Sequence, residues 1–244
     1  MLNIVIPCAG AGSRFIAAGY TAPKPFIKFL DKFMIEHVID NIAIPEAKYI
    51  FIMQQDHLKT YGPEFIDVLK SKSYIKDFET IQIDGLTEGA ACTLLKVKAL
   101  INNTNELLIA NSDQMLGSND IYNSIKFFRK YTLDGGILCF YNRAPKWSYI
   151  AMNDRGFITE VAEKQVISNY ATCGIYYFNN GKDFVWAAET MIEKNNRFNN
   201  EFYIAPVFNY LIPNPQSVYK PFLINEMYGI GTPEDLESYL KYNV

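Results

Sequence analysis

Short apolar runs and stretches of helical period alternate along the first 110 residues. Residues 2–6, 49–53 and 107–110 have the length and continuity of buried strands, and 79–83 reads as a further strand. Between them, the segment from 34 to 41 sets Ile35, Val38, Ile39 and Ile42 on one helical face. Residues 64–70 form an amphipathic stretch, and 89–101 turns Ala90, Leu94, Val97 and Leu100 or Ile101 inward. The second half is richer in strands, at 136–141, 149–152, 158–162 and 174–178, followed by a helix over 183–194. This alternation predicts an α/β fold built on an open sheet, largely parallel in its first half. The second half completes the sheet and adds a small substrate-facing lobe. In such sheets ligands bind beyond the carboxyl ends of the strands. With no Gly/Ser/Pro-rich linker and no internal repeat, the whole chain, 1–244, is expected to form one domain.

Composition narrows the function. With 23 basic against 26 acidic residues, a dominant surface for nucleic acid or an anionic membrane is not expected. The high aromatic share, 15%, supplies core and pocket walls. Cys8, Cys92, Cys139 and Cys173 lack metal-finger or redox spacing, and His37 and His57 lie far from them, which argues against zinc. Reduced cysteines fit a cytoplasmic location. The first residues lack a basic region and a long apolar stretch, so no signal peptide is expected, and no run of about 18 apolar residues marks a membrane span.

The chemistry gathers where strands end. Pro7-Cys8-Ala9-Gly10-Ala11-Gly12-Ser13-Arg14 follows the first strand. Gly10 and Gly12 allow an unusual backbone path and remove side-chain bulk, and Ser13 adds a hydroxyl. Arg14 brings a fixed charge suited to phosphate oxygens. Lys24 is a second cation, presented between Pro23 and Pro25. Together they describe a triphosphate cradle, although Gly-x-Gly by itself is equally a tight strand–helix turn. The turn is neither a dinucleotide fingerprint, since Phe15 stands where a third glycine belongs, nor a P-loop. Asp113 follows the fourth strand, where a carboxylate is costly unless paired or metal-bound. A turn-capping aspartate is the plainer reading of the same position.

The motif Pro7-Cys8-Ala9-Gly10-Ala11-Gly12-Ser13-Arg14-Phe15, followed by Pro23-Lys24-Pro25, resembles the signature of the sugar-phosphate nucleotidyltransferases. The likeness continues at Thr87-Glu88-Gly89-Ala90-Ala91, Asn111-Ser112-Asp113-Gln114, Val161-Ala162-Glu163-Lys164, Ala171-Thr172-Cys173-Gly174-Ile175-Tyr176 and Gly231-Thr232-Pro233-Glu234-Asp235-Leu236. It therefore spans nearly the whole chain. The resemblance implies a three-layer α/β/α sandwich with a mixed, mostly parallel sheet. It also implies an NTP-binding half at 1–120 and an acceptor-binding half at 121–244.

The implied reaction joins an NTP to a phosphorylated small molecule and releases pyrophosphate. Ala9, Gly10, Gly12 and Ser13 would wrap the nucleotide, with Arg14 and Lys24 as the catalytic cations. Glu88 and Gly89 would face the base, and Asp113 would bind Mg2+. On the acceptor side the resemblance implies Glu163, Lys164, Gly174, Arg197 and Glu201, with Arg197 offset by two positions from the usual arginine. Lys146-Trp147-Ser148-Tyr149 would wall the same site, or Trp147 would be a core residue. Gly229 departs from the pattern, because a second metal-binding aspartate usually stands there.

The whole-chain pattern looks most like a capsule-biosynthesis branch that includes CTP:phosphoglutamine cytidylyltransferases. The alternatives are a hexose-1-phosphate thymidylyl- or uridylyltransferase and, given Gly229, a non-catalytic nucleotide-binding relative. A glycosyltransferase on the same fold ranks last, since Ser112-Asp113-Gln114 carries one acid only. The family often forms homodimers.

Overall fold

The computed structural model describes residues 1–243. Strand β1 (Leu2–Pro7) leads through the glycine turn into the short helix α1 (Ser13–Ala17). A small hairpin of β2 (Lys28–Phe29) and β3 (Lys32–Phe33) precedes α2 (Met34–Ile42). Then come β4 (Ala47–Gln54), α3 (Gln55–Ser71), β5 (Asp77–Ile83), α4 (Ala90–Leu95), α5 (Lys98–Ile101) and β6 (Glu106–Ala110). The second half runs β7 (Gln114–Leu116), α6 (Asp120–Lys130), β8 (Gly135–Tyr141), β9 (Tyr149–Met152), β10 (Ile158–Ala162) and β11 (Tyr170–Phe178). It closes with α7 (Gly181–Glu193), β12 (Tyr219–Leu223), β13 (Met227–Gly229) and α8 (Pro233–Asn243).

The central sheet has nine strands and is mixed. β1 pairs in parallel with β4 and β6, and β4 with β5. β11 enters antiparallel between β6 and β8, and β12 lies parallel to β8. The β9–β10 hairpin joins through one position, Ala171 against Tyr149. The parallel first half thus meets the expectation.

Alternation along the strands explains the layers. Leu2, Ile4 and Ile6 of β1 and Tyr49, Phe51 and Met53 of β4 face one apolar core, which α2, α3 and α6 cover. Val5, Ile50 and Ile52 face a second core, closed by α4, α5 and α7. A strand with both faces buried reads as an unbroken apolar run, which is why these strands were legible. Phe51 is fully buried, and its truncation to alanine would cost about 3–5 kcal/mol. The result is a three-layer α/β/α sandwich. Among the described residues, no helix is long and apolar enough to cross a membrane.

Three differences from the sequence pattern have local causes. The expected helix over 89–101 is two helices. The Lys96 and Val97 N–H groups turn back to the carbonyls of Thr93 and Leu94, tightening the chain before α5 begins. The helix expected at 64–70 starts at Gln55 and runs through Pro63, which removes one backbone donor from it. β7, α6, β12, β13 and α8, which the pattern left unassigned, are held by pairing and packing with distant segments.

One irregularity in the sheet opens room for a cavity. The register of β11 against β8 shifts between Thr172 and Tyr176, and Gly174 sits in that bulge at φ +76°. Before the bulge β11 pairs with β9; after it, with β6. The sheet therefore has a gap between the end of β6 and the start of β9.

Candidate active site

Two cavities open at the carboxyl ends of β1 and β6 and meet there. The smaller, about 310 Å3, lies over the glycine turn. Gly12 takes the left-handed conformation, φ +62°, as the residue before α1. A Cβ there would stand 3.2 Å from Lys24 Cβ, so glycine lets the two segments lie together. Gly10 differs from expectation. Its φ is not positive and a Cβ would meet nothing within 4 Å, so of the two glycines only Gly12 needs the freedom. The turn is tied from behind, because Gln54 Nε2 donates to the carbonyls of Ala9 at 2.8 Å and Gly85 at 3.0 Å.

Lys24 begins a 3-10 turn whose Phe26 is buried and stacked on Tyr61, at 4.7 Å between ring centres. That anchor aims the lysine inward. Its Nζ donates to Asp113 Oδ2 at 2.8 Å, with about a fifth of each side chain exposed. Asp113 lies in the loop after β6, fastened by the Ile230 N–H, which donates to its carbonyl at 2.8 Å. A Cβ at Gly231 would collide with the Asp113 carboxylate, so glycine there makes room for it. Cys8 lies behind this pair, and burial pushes its thiol up to about 12, so it offers no nucleophile.

The far wall of the smaller cavity is a splint between two distant segments. Gly89 has φ +128°, and a Cβ there would stand 2.5 Å from the N and O of Phe202. The Phe202 N–H donates to the Glu88 carbonyl at 2.8 Å, and the Ala91 N–H donates to the Phe202 carbonyl at 3.0 Å. Arg197 pairs with the Glu88 carboxylate and lies over the Phe202 ring at 4.4 Å. Glu88 and Arg197 therefore brace the splint, and neither is in the lining of these two cavities. Ser13 and Gly12 are likewise outside both linings, whereas Ala9, Gly10 and Gly89 are within the smaller one.

The larger cavity, about 490 Å3, fills the sheet gap beside Gly174. Arg14, Glu163, Lys164, Gly174 and Glu201 line it, as does Asp113. Lys164 Nζ donates to Tyr203 Oη at 2.8 Å and lies over that ring. Glu163 is buried and accepts a hydrogen bond from the Ser148 hydroxyl. Burial raises its pKa, while Ser148 and Lys164 pull the other way. Trp147 lines this cavity half-buried, its ring edge-on to Phe140, so both readings of it hold in part. Asp113, Asn111, Ala90 and Glu201 line both cavities.

Sequence reasoning missed several wall residues. Asn111, Tyr176, Tyr203 and Asp235 line the larger cavity. Asp235, held by Lys146 at 3.0 Å, comes from α8, and a Cβ at Gly229 would stand 3.6 Å from its Oδ2. The Gly-Thr-Pro-Glu-Asp motif was the available signal for it. Among the described residues no group of three or more His, Cys, Asp or Glu could enclose a metal. Asp113 and Asp235 both line the larger cavity, and one or two carboxylates completed by phosphate and water oxygens are a donor set that fits Mg2+.

The family described as Nucleotidyl transferase matches residues 4–240. The bifunctional protein GlmU of Methanocaldococcus jannaschii is 24% identical over 181 residues, which is 73% of this chain and 40% of that relative's length. Among solved structures, the nucleoside-diphosphate-sugar pyrophosphorylase from Vibrio cholerae RC9 superposes with a TM-score of 0.84 at 25% identity, covering 98% of this chain and 99% of that one. A UDP-glucose pyrophosphorylase complexed with UDP-glucose superposes with a TM-score of 0.78 at 19% identity, covering 99% of both chains.

Proposed function

Because the chain belongs to the Nucleotidyl transferase family, we propose that it joins CTP to a phosphorylated small molecule, phosphoglutamine or another capsule precursor, and releases pyrophosphate. The observation that carries this reading is the Lys24–Asp113 pair standing where the two cavities meet. The NTP lies in the smaller cavity and the acceptor phosphate enters from the larger. An acceptor phosphate oxygen attacks the α-phosphorus, a new P–O bond forms, and the bond to the leaving pyrophosphate breaks.

No protein nucleophile is needed, so the chain acts by positioning and by neutralising charge. Lys24 and Arg14 offset the repulsion between the two anions. Asp113 would hold Mg2+, with Asp235 across the larger cavity, and the ion supplies further neutralisation of the triphosphate when bound. Gly89 and the neighbouring backbone confine the base, and Lys164 faces the acceptor phosphate.

Pyrophosphate release tests this, with CTP, dTTP and UTP each paired with phosphoglutamine, glucose 1-phosphate and inositol 1-phosphate. Turnover above a Lys24→Ala control supports the reaction class, and a CDP-linked product seen by chromatography supports the cytidylyl reading. Equal or better use of dTTP with glucose 1-phosphate would replace it with the hexose-1-phosphate reading. NTP binding without any turnover would leave a non-catalytic relative.

A further inference from the structure

Gln114 begins β7, opposite Gly229 of β13, and only 8% of it is exposed. Its side chain reaches the larger cavity immediately beside Asp113. Its Oε1 is buried and has no hydrogen-bond partner. The bulge explains how it fits, since a Cβ at Gly174 would collide with both Gln114 Oε1 and the Asn111 carboxamide. The β11 glycine thus clears space for two carboxamides in the wall where the acceptor cavity meets the phosphate junction. A buried polar atom left unpaired is destabilising, and pockets fix their ligands through a few such placed groups.

We propose that Gln114 is a specificity-determining residue that receives a hydroxyl or N–H of the acceptor close to its phosphorylated atom. This rests on the reaction proposed above, because the junction beside Gln114 is where that reaction places the acceptor phosphate. Oε1 accepts, so the group it reads must donate. A hydroxyl satisfies either end of a carboxamide, whereas a bare hydrocarbon ester satisfies neither. The acceptor class is therefore a phosphate ester of a polyol or an N-phosphorylated amide, not the phosphate ester of a plain alkyl chain. Discrimination arises because an ester without the donor leaves Oε1 unpaired.

The test uses the full chain and its Gln114→Met variant, which nearly preserves volume. Calorimetry measures binding of phosphoglutamine, glucose 1-phosphate, inositol 1-phosphate and methyl phosphate to nucleotide-free protein, with CTP as a separate titrant. At least one of the first three should bind the wild type more tightly than methyl phosphate. In Gln114→Met that advantage should shrink about tenfold, with methyl phosphate and CTP affinities unchanged, and the turnover assay should show the same rise in acceptor KM without one in CTP KM. Gln114→Ala serves if the methionine variant loses CTP binding as well. Turnover with an acceptor KM within twofold of wild type in these variants overturns the assignment while leaving the reaction standing. Binding of none of the four phosphates, with no turnover, overturns both.

Discussion

The two cavities are built by different means. The smaller cavity is lined by the turn after β1, the start of α4 and the loop after β6, with small residues such as Ala9, Gly10, Ala11, Gly89 and Ala90, and it is held by bonds such as Gln54 to Ala9 and Phe202 to Glu88. The larger cavity is lined by charged and aromatic residues such as Arg14, Trp147, Glu163, Lys164, Tyr203 and Asp235, drawn from α1, the 146–148 segment, the turn after β10, the 201–205 segment and α8. Small residues let backbone come close to a part common to many substrates, the phosphates. Side-chain walls suit the part that varies. The two regions share the Lys24–Asp113 junction, so chemistry and selectivity should separate under mutation.

The strongest break in that division is Lys24→Ala, which removes a cation from the shared junction. It should lower kcat by about 10²–10³ and also lower the thermal midpoint, because it leaves the largely buried Asp113 carboxylate without its cation. Pyrophosphate release and a melting curve check both halves of this expectation. Gly89→Ala comes next. It forces a Cβ into the Phe202 backbone at a φ of +128°, and it should cost about 2–4 kcal/mol in denaturant unfolding. If the splint binds the two regions together, both substrate affinities fall with it.

Gly174→Ala sharpens the division from the acceptor side. Its φ of +76° and the collision with Gln114 should raise acceptor KM about tenfold or more while CTP KM stays put. A rise in both would mean the cavities are less separate than their linings suggest.

Glu163 gives a pH-dependent test of smaller size. Burial raises its pKa in the folded chain above the ordinary 4.5. Between those two values the folded state keeps a proton that the unfolded state has lost, so stability falls as pH rises through the window. Glu163→Gln should flatten that fall in denaturant midpoints measured from pH 4.5 upward. The smallest effect belongs to Arg197→Ala. Arg197 pairs with a largely exposed Glu88, and the pair should be worth about 0.2–1 kcal/mol. Calorimetry with the acceptor phosphates should show no change, since Arg197 lies outside the acceptor wall.

The first half was the more legible. The runs around Ile4, Phe51 and Leu108 are buried on both faces, so composition alone marks them as strands. Short or half-exposed elements such as β7 and β13 show no such run, because each exists by pairing with the other across more than a hundred residues. The same contrast holds in the site. Lys24, Asp113 and Gln114 stand in compact motifs and Asp235 in the late Gly-Thr-Pro-Glu-Asp motif, whereas Tyr203 becomes a wall residue only when the 201–205 segment packs beside the bulge.

Local order along the chain determined the parallel core, the glycine turn and the cations set beside it, because burial on two faces and phosphate chemistry leave marks in neighbouring residues. Only the folded chain decided that Gly10 takes no positive φ, that Arg197 pairs with Glu88 outside both cavity linings, and that Gln114 Oε1 ends without a partner in a pocket wall. Those outcomes depend on which distant backbone segment arrives at each side chain, and a distance between segments far apart in the chain has no local signature.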